Sequence, residues 1–152
     1  MFTEDYANLL SATAINAALV VVVVLMHHEV LVRLSARLAK MHERHHFRLV
    51  VAVLGVLLAH TAEVWVFAGA YFFMHHADTW GLLTGNFDGS FLDCIYFSFS
   101  TFTTVGYGDI EPIGELRFLT GIEGLTGLVL ITWSASFLFV KMQRYWTGNE
   151  SH

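Results

Sequence analysis

The stretch Thr103-Thr104-Val105-Gly106-Tyr107-Gly108-Asp109 decides how this sequence folds. Its two glycines alternate with large side chains, and glycine adopts a positive φ without steric cost. A backbone with this alternation can turn the side chains of Val105 and Tyr107 back into the protein and aim successive carbonyl oxygens at one axis. Such a row of oxygens, with the Thr104 hydroxyl at its inner end, can replace the water shell of a cation.

A short apolar segment, residues 91–103, precedes this stretch. At about 1.5 Å per residue it would be roughly 20 Å long as a helix, which is too short to cross a bilayer. Ser90 and Asp93 stand at the spacing of a helix start signal. The segment therefore predicts a helix that enters the membrane and turns back. The partial negative charge at its C-terminal end would then face the path of the cation.

The composition places the chain in a membrane, because 55% of its 152 residues are hydrophobic and only 14% are charged. Residues 9–26, 49–74 and 118–140 form three apolar segments long enough to span a bilayer. The predicted fold is an all-α membrane protein with three transmembrane helices, a re-entrant helix and a loop. Two parts are expected. Residues 1–48 hold the first span and a basic amphipathic interfacial helix at 30–46, and residues 49–152 hold the rest.

The stretch 103–109, between a short apolar helix and a long one, resembles the signature of the potassium-channel pore superfamily. From about residue 49 to residue 142 the chain is similar to the pore module of small two-helix prokaryotic channels. The resemblance implies a K⁺-selective filter at Thr104, Val105, Gly106, Tyr107 and Gly108, with K⁺ held by the carbonyls of the first four. It also implies a homotetramer, since four copies around an axis close a ring of oxygens. K⁺ is then the permeant ion, and no cofactor is expected. We call residues 103–109 the filter loop.

The same resemblance assigns supporting roles around the filter loop. Tyr96 and Phe97 stand where the family has aromatic residues that brace the filter, next to Thr103 at its start. Ser100 stands where some members carry a carboxylate that pairs with the aspartate matching Asp109. In the family, a glycine near Gly127 acts as a hinge of the inner helix.

Three ionisable residues lie within the apolar spans, where such groups are costly and tend to be partnered. His60 and Glu63 are three residues apart and share one helical face, and Glu123 lies in the last span. We hypothesise that the three form a polar network behind the pore. The network either tunes opening with pH, because histidine titrates near neutrality, or serves only to pack the helices.

Basic residues predict the topology and one class of partner. Arg33, Arg37, Lys40 and Arg44 recur on one helical face and suit an anionic lipid surface. Seven of the eight Lys and Arg residues fall at 33–48 and 141–144. The positive-inside rule then predicts a multi-pass protein of a plasma or inner membrane, with its N-terminus outside and its C-terminus cytoplasmic. No nucleic-acid partner is expected.

Two other functions remain open from the sequence. A non-conducting regulatory subunit of another channel would share the same spans, although an intact filter loop argues against it. A membrane zinc protease would use the H-E-x-x-H motif formed by His42, Glu43 and His46. That motif lies in a basic linker, and a third ligand at a known spacing is missing, so the protein is predicted not to be an enzyme.

Overall fold

The computed structural model describes residues 2–41, 45–77 and 79–147. Within these ranges it contains four helices and two short strands. In chain order they are α1 (Phe2–Lys40), α2 (His45–His76), β1 (Leu83–Gly85), α3 (Phe91–Phe102), β2 (Ile110–Pro112) and α4 (Leu116–Thr147). Helices α1, α2 and α4 are long and apolar enough to cross a membrane, whereas α3 is a shorter apolar helix. The predicted all-α membrane fold is confirmed.

Helix α1 differs from the expected separation into a transmembrane helix and an interfacial helix. It is continuous for 39 residues. At about 1.5 Å per residue this is roughly 58 Å, nearly twice the hydrocarbon thickness of a bilayer. Leu31, Leu34 and Leu38 continue the buried stripe and pack against Ala52 and Val56 of α2. This apolar contact extends along α1 without interruption. The basic residues Arg33, Arg37 and Lys40 therefore lie on the C-terminal part of the same helix.

Helix α3 begins at the predicted signal. The Ser90 side chain accepts a hydrogen bond from the backbone N–H of Asp93 at 3.1 Å. The Asp93 carboxylate in turn accepts one from the backbone N–H of Asp88 at 2.9 Å. The first bond satisfies a backbone donor in the first turn of the helix, and the second connects the preceding turn to the helix start.

The two strands were not predicted from the sequence, and they connect the segments on either side of α3 and the filter loop. They pair antiparallel, with Leu83 opposite Pro112 and Gly85 opposite Ile110. The backbone N–H groups of Glu115 and Leu116 both donate to the Trp80 carbonyl, at 2.8 and 3.3 Å. These contacts fix the start of α4 against the loop that follows α2.

The main core lies where the four helices meet, and it includes Ala12 and Val23 of α1. Phe67 and Tyr71 of α2 are fully buried, and the ring of Tyr71 contacts that of Phe97 edge-on at 4.9 Å between centroids. Helix α4 lies close to the end of α3 at Gly127, where an added Cβ would lie only 2.1 Å from the Phe102 carbonyl oxygen. A side chain at this position would therefore force α4 away from the end of α3.

Candidate functional site

The filter loop has the alternating backbone that its glycines predict. Thr104, Gly106 and Gly108 have φ values of 59°, 54° and 78°, and Val105 and Tyr107 between them are not left-handed. A Cβ added at Gly106 or Gly108 would meet no atom within 4 Å. Glycine is therefore favoured at these two positions by the backbone angle and not by a shortage of space.

Thr104 was not expected to be left-handed. It is the one non-glycine residue with a positive φ in the ranges that the structure describes. A β-branched residue in this conformation is strained, at a cost on the order of 1–3 kcal/mol, and persists where its surroundings hold it. Its backbone N–H donates to the Thr101 carbonyl at 2.9 Å, so the end of α3 holds this residue in place.

The filter loop is held at both ends by hydrogen bonds. On the α3 side, the Gly106 N–H donates to the Ser100 carbonyl at 3.0 Å. At the other end, the Asp109 carbonyl accepts from the Asn86 N–H at 2.8 Å, which joins the loop to the segment beyond β1. The loop is thus supported by backbone contacts from two separate parts of the chain.

Tyr96 connects α3 to the outer part of the filter loop. Its hydroxyl donates to the Asp109 carboxylate at 2.9 Å, and its ring stacks on Tyr107 with 6.0 Å between centroids. The Ser100 hydroxyl donates instead to the Phe97 carbonyl of its own helix, at 3.0 Å. The hydrogen-bonding partner of Asp109 is therefore Tyr96, which lies one helical turn before Ser100 on α3.

Two ionisable groups around the loop have shifted pKa values. The hydrogen bond that Tyr96 donates to the Asp109 carboxylate raises the pKa of the Tyr96 phenol, because ionisation would remove the donated proton. At the start of α3, hydrogen bonds from Ser90 lower the pKa of Asp88, because they favour the carboxylate.

The face of the filter loop next to α3 is open in a single chain. Val105 is 55% exposed and Tyr107 is 68% exposed. With four other residues they line a cavity of about 330 Å³, and these residues are Tyr96, Phe99, Ser100 and Thr103. A large apolar surface beside a strained backbone segment is typical of a contact surface.

Glu123 lies behind α3 and joins three helices. Its carboxylate accepts a hydrogen bond from the Tyr71 hydroxyl of α2 at 2.6 Å and contacts the Ser98 hydroxyl of α3. The Ser98 hydroxyl also lies 2.9 Å from the Val64 carbonyl oxygen. We call Tyr71, Ser98 and Glu123 the Glu123 cluster. All three side chains are buried, so the cluster positions α3 from behind.

His60 and Glu63 belong to a different group. The Nδ1 atom of His60 lies 2.8 Å from Oε2 of Glu63, and Nδ1 of His27 lies 2.7 Å from Oε1. We call His27, His60 and Glu63 the Glu63 cluster. The hydrogen bonds found among the described residues keep it separate from Glu123, so the single network that we hypothesised is two clusters.

His27 was missed because the first span was expected to end at Met26. The sequence nevertheless contains a helical pattern that indicates a buried position for His27. Asn16, Val23, His27, Leu31 and Leu34 recur at spacings of three, four or seven residues, and all five are buried in the structure. A helical stripe of this kind places His27 on the face that packs against the other helices.

The remaining sequence-predicted residues lie away from the filter loop. Arg33 is exposed and pairs with Glu29 at 2.7 Å. Of the H-E-x-x-H motif, His42 and Glu43 lie outside the described residues, as does Arg44, and His46 is exposed on α2.

Three spanning helices, with a short helix and a strained loop between the second and third, define a multi-pass membrane protein with a re-entrant segment. The sequence model of the ion channel family matches residues 59–144, which is more than half of the chain. The chain therefore belongs to this ion channel family. The match covers most of α2 and all of α3, the filter loop and the apolar part of α4.

Two curated relatives are similar over shorter stretches. The inward rectifier potassium channel Kirbac3.1 of Paramagnetospirillum magnetotacticum is 38% identical over 61 residues, which are 40% of this chain and 21% of the relative. Potassium channel K2 of Plasmodium falciparum is 34% identical over 99 residues, which are 63% of this chain and 6% of the relative. The chain thus spans a small part of the length of either protein. No solved structure matches it.

Proposed function

We propose that this chain is the pore-forming subunit of a K⁺-selective channel that conducts K⁺ passively. The observation that carries the proposal is the alternation of left-handed residues at Thr104, Gly106 and Gly108. This backbone suits a row of carbonyls from Thr104 to Tyr107 that replaces the hydration shell of K⁺. Both curated relatives are potassium channels, which supports the same ion.

A homotetramer is the assembly that this proposal requires. One chain supplies one wall of a pore, and four walls close a ring of oxygens around an ion. Val105 and Tyr107, together with the open cavity beside α3, give each chain a surface for a neighbouring copy. Residues 49–152 would form the pore unit, and residues 1–48 would form an additional outer helix.

Gly127 would have two roles. It lets α4 pack closely against the end of α3, and it acts as a hinge of α4. Its backbone lies against the Phe102 carbonyl, which directly precedes the filter loop. A bend of α4 at this glycine would withdraw the helix from that carbonyl and change the support of Thr103. Opening of the inner helix would in this way be coupled to the filter.

Anionic lipid is the proposed partner of the basic end of α1. Arg33 and Arg37 border a cavity of about 330 Å³ between α1 and α2, whose apolar lining includes Leu58 and Ala59. Guanidinium groups above an apolar groove suit a phosphate headgroup above an acyl chain. By the positive-inside rule, the same basic residues favour a cytoplasmic location for this end and an outside location for the N-terminus.

The test is cation flux through the purified protein in liposomes, with K⁺ compared with Na⁺. Gly106→Ala introduces strain at a positive φ within the filter loop. Gly89→Ala is the matched control, since Gly89 has a φ of 83° and, like Gly106, no atom within 4 Å of an added Cβ. We expect K⁺-selective flux that Gly106→Ala abolishes and Gly89→Ala retains.

The possible results separate the candidate functions. Equal fluxes of K⁺ and Na⁺ through the wild-type protein would contradict selectivity. No flux from folded protein across a range of pH and lipid composition would favour a non-conducting subunit.

A further inference from the structure

The Glu63 cluster joins the additional helix α1 to the pore helices, and its composition is that of a metal site. His27 and Glu63 are fully buried, and the side chain of His60 is 16% exposed. One ligand atom from each residue can be chosen so that all three lie within 4.8 Å of one another. The two imidazole rings are stacked, with 5.3 Å between centroids.

We propose that His27, His60 and Glu63 bind one divalent first-row transition metal ion, with Zn²⁺ as the best fit. Two imidazoles and one carboxylate are an established zinc ligand set, with bonds of about 2.0–2.2 Å. Nδ1 of each histidine already points at a different oxygen of the same carboxylate. Insertion of an ion requires these N···O pairs to widen by roughly half an ångström, which side-chain rotation can supply.

Ser134 of α4 completes the arrangement. Its Oγ lies 3.3 Å from Nε2 of His27, the ring nitrogen that does not face Glu63. Metal-binding histidines commonly donate their second ring N–H to such a partner, which fixes the tautomer. Without metal, the His27 Nδ1–H donates to Glu63. With metal, Nδ1 becomes the ligand, and the proton on Nε2 is donated to Ser134.

The ion would hold three helices together. His27 comes from α1, His60 and Glu63 from α2, and the orienting hydroxyl from α4. The binding free energy would therefore stabilise the packing of α1 against α2, and the His27–Ser134 contact would oppose separation of α1 from α4. The ion would reach the site past His60, the one partly exposed ligand.

The experiment is a Zn²⁺ titration of the metal-washed full chain in detergent, with bound metal counted per chain. His27→Ala removes a ligand, and Glu63→Gln removes the charge while keeping the shape. His28→Ala is the matched control, because His28 is adjacent in sequence but exposed. We expect the wild type and His28→Ala to bind one ion per chain more than His27→Ala and Glu63→Gln. Equal stoichiometry in all four proteins would overturn the proposal.

Two further measurements cover the case in which a variant fails to fold. The wild-type chain should show the intense visible absorption of four-coordinate Co²⁺, held by the three side chains and one water, and Zn²⁺ should raise its melting temperature. Absence of both effects in the wild type would itself overturn the proposal. Ser134→Ala should retain the site and weaken its affinity by roughly 10–100-fold. An unchanged affinity would contradict the orienting role of Ser134.

Discussion

Substitution of Gly127 by alanine tests how closely α4 must approach the end of α3. The new Cβ would lie 2.1 Å from the Phe102 carbonyl oxygen, 2.9 Å from its carbon and 3.0 Å from Cγ of the same residue. Since the two nearest atoms belong to the backbone, rotation of a side chain cannot remove the clash. The helices must separate by about 1 Å, and overpacking of this kind costs about 1–3 kcal/mol.

Without these distances it would not be clear whether Gly127→Ala stabilises or destabilises the fold, because alanine favours helix formation over glycine by about 1 kcal/mol. If overpacking reaches about 3 kcal/mol, as an obstruction by backbone atoms implies, Gly127→Ala destabilises the fold by roughly 2 kcal/mol. Gly121 lies six residues earlier in α4, and a Cβ there meets nothing within 4 Å. Gly121→Ala should therefore be neutral or stabilise the chain by up to about 1 kcal/mol.

The assay is denaturant unfolding of the purified protein in detergent, followed by the helical circular dichroism signal. Gly124→Ala provides an intermediate case, because its Cβ would lie an ordinary 3.7 Å from the Thr101 carbonyl. We expect stability to fall in the order Gly121→Ala, Gly124→Ala, Gly127→Ala. A Gly127→Ala protein as stable as Gly121→Ala would show that the helices do not pack at this distance, and the reasoning would fail.

Three further predictions concern the start of α3 and its contact with the filter loop. Ser90→Ala removes the N-cap of α3 and should lower the free energy of unfolding by about 1 kcal/mol. Ser136→Ala, at an exposed position, is the control. Equal losses of stability in the two variants would contradict the capping role. Tyr96→Phe removes the hydrogen bond that the hydroxyl donates to the Asp109 carboxylate. It should shorten sustained K⁺ flux, whereas Tyr6→Phe should not; unchanged flux would refute the bracing role. The lowered pKa of Asp88 stabilises the fold above the ordinary value of 3.8, and this contribution is lost as the pH falls through the lowered pKa. Acid unfolding should therefore be less steep in Asp88→Asn, and identical curves would argue against the shift.

The sequence was sufficient to predict α2, α3 and α4 because their signals are local. Ser90 and Asp93 predict the start of α3 at the residue where it occurs, and the predicted spans at 49–74 and 118–140 lie inside α2 and α4. The positive φ values of Gly106 and Gly108 follow from steric freedom at single residues. Each of these predictions depends on neighbours within a few positions.

Contacts between helices could not be predicted in the same way. Spacing alone shows that His60 and Glu63 share a face, but it does not show which helix lies opposite. Here α1 lies opposite, with His27, which is 36 residues earlier in the chain than Glu63. Glu123 could equally have joined that group, yet the packing of α3 gives it Ser98 and Tyr71 instead. The continuity of α1 likewise depends on a contact between helices, because Ala52 and Val56 of α2 pack against its C-terminal part.

The two buried carboxylates also have a consequence for the order of synthesis. The hydrogen-bonding partners of Glu63, His27 and His60, both precede it in the chain, and so do Tyr71 and Ser98, the partners of Glu123. A ribosome makes the chain from its N-terminus at roughly 5–20 residues per second. Each acidic side chain therefore leaves the ribosome after the groups that will neutralise or solvate it. An emerging helix can pair its carboxylate with partners that already exist, and it need not wait in lipid for a donor that has yet to be translated.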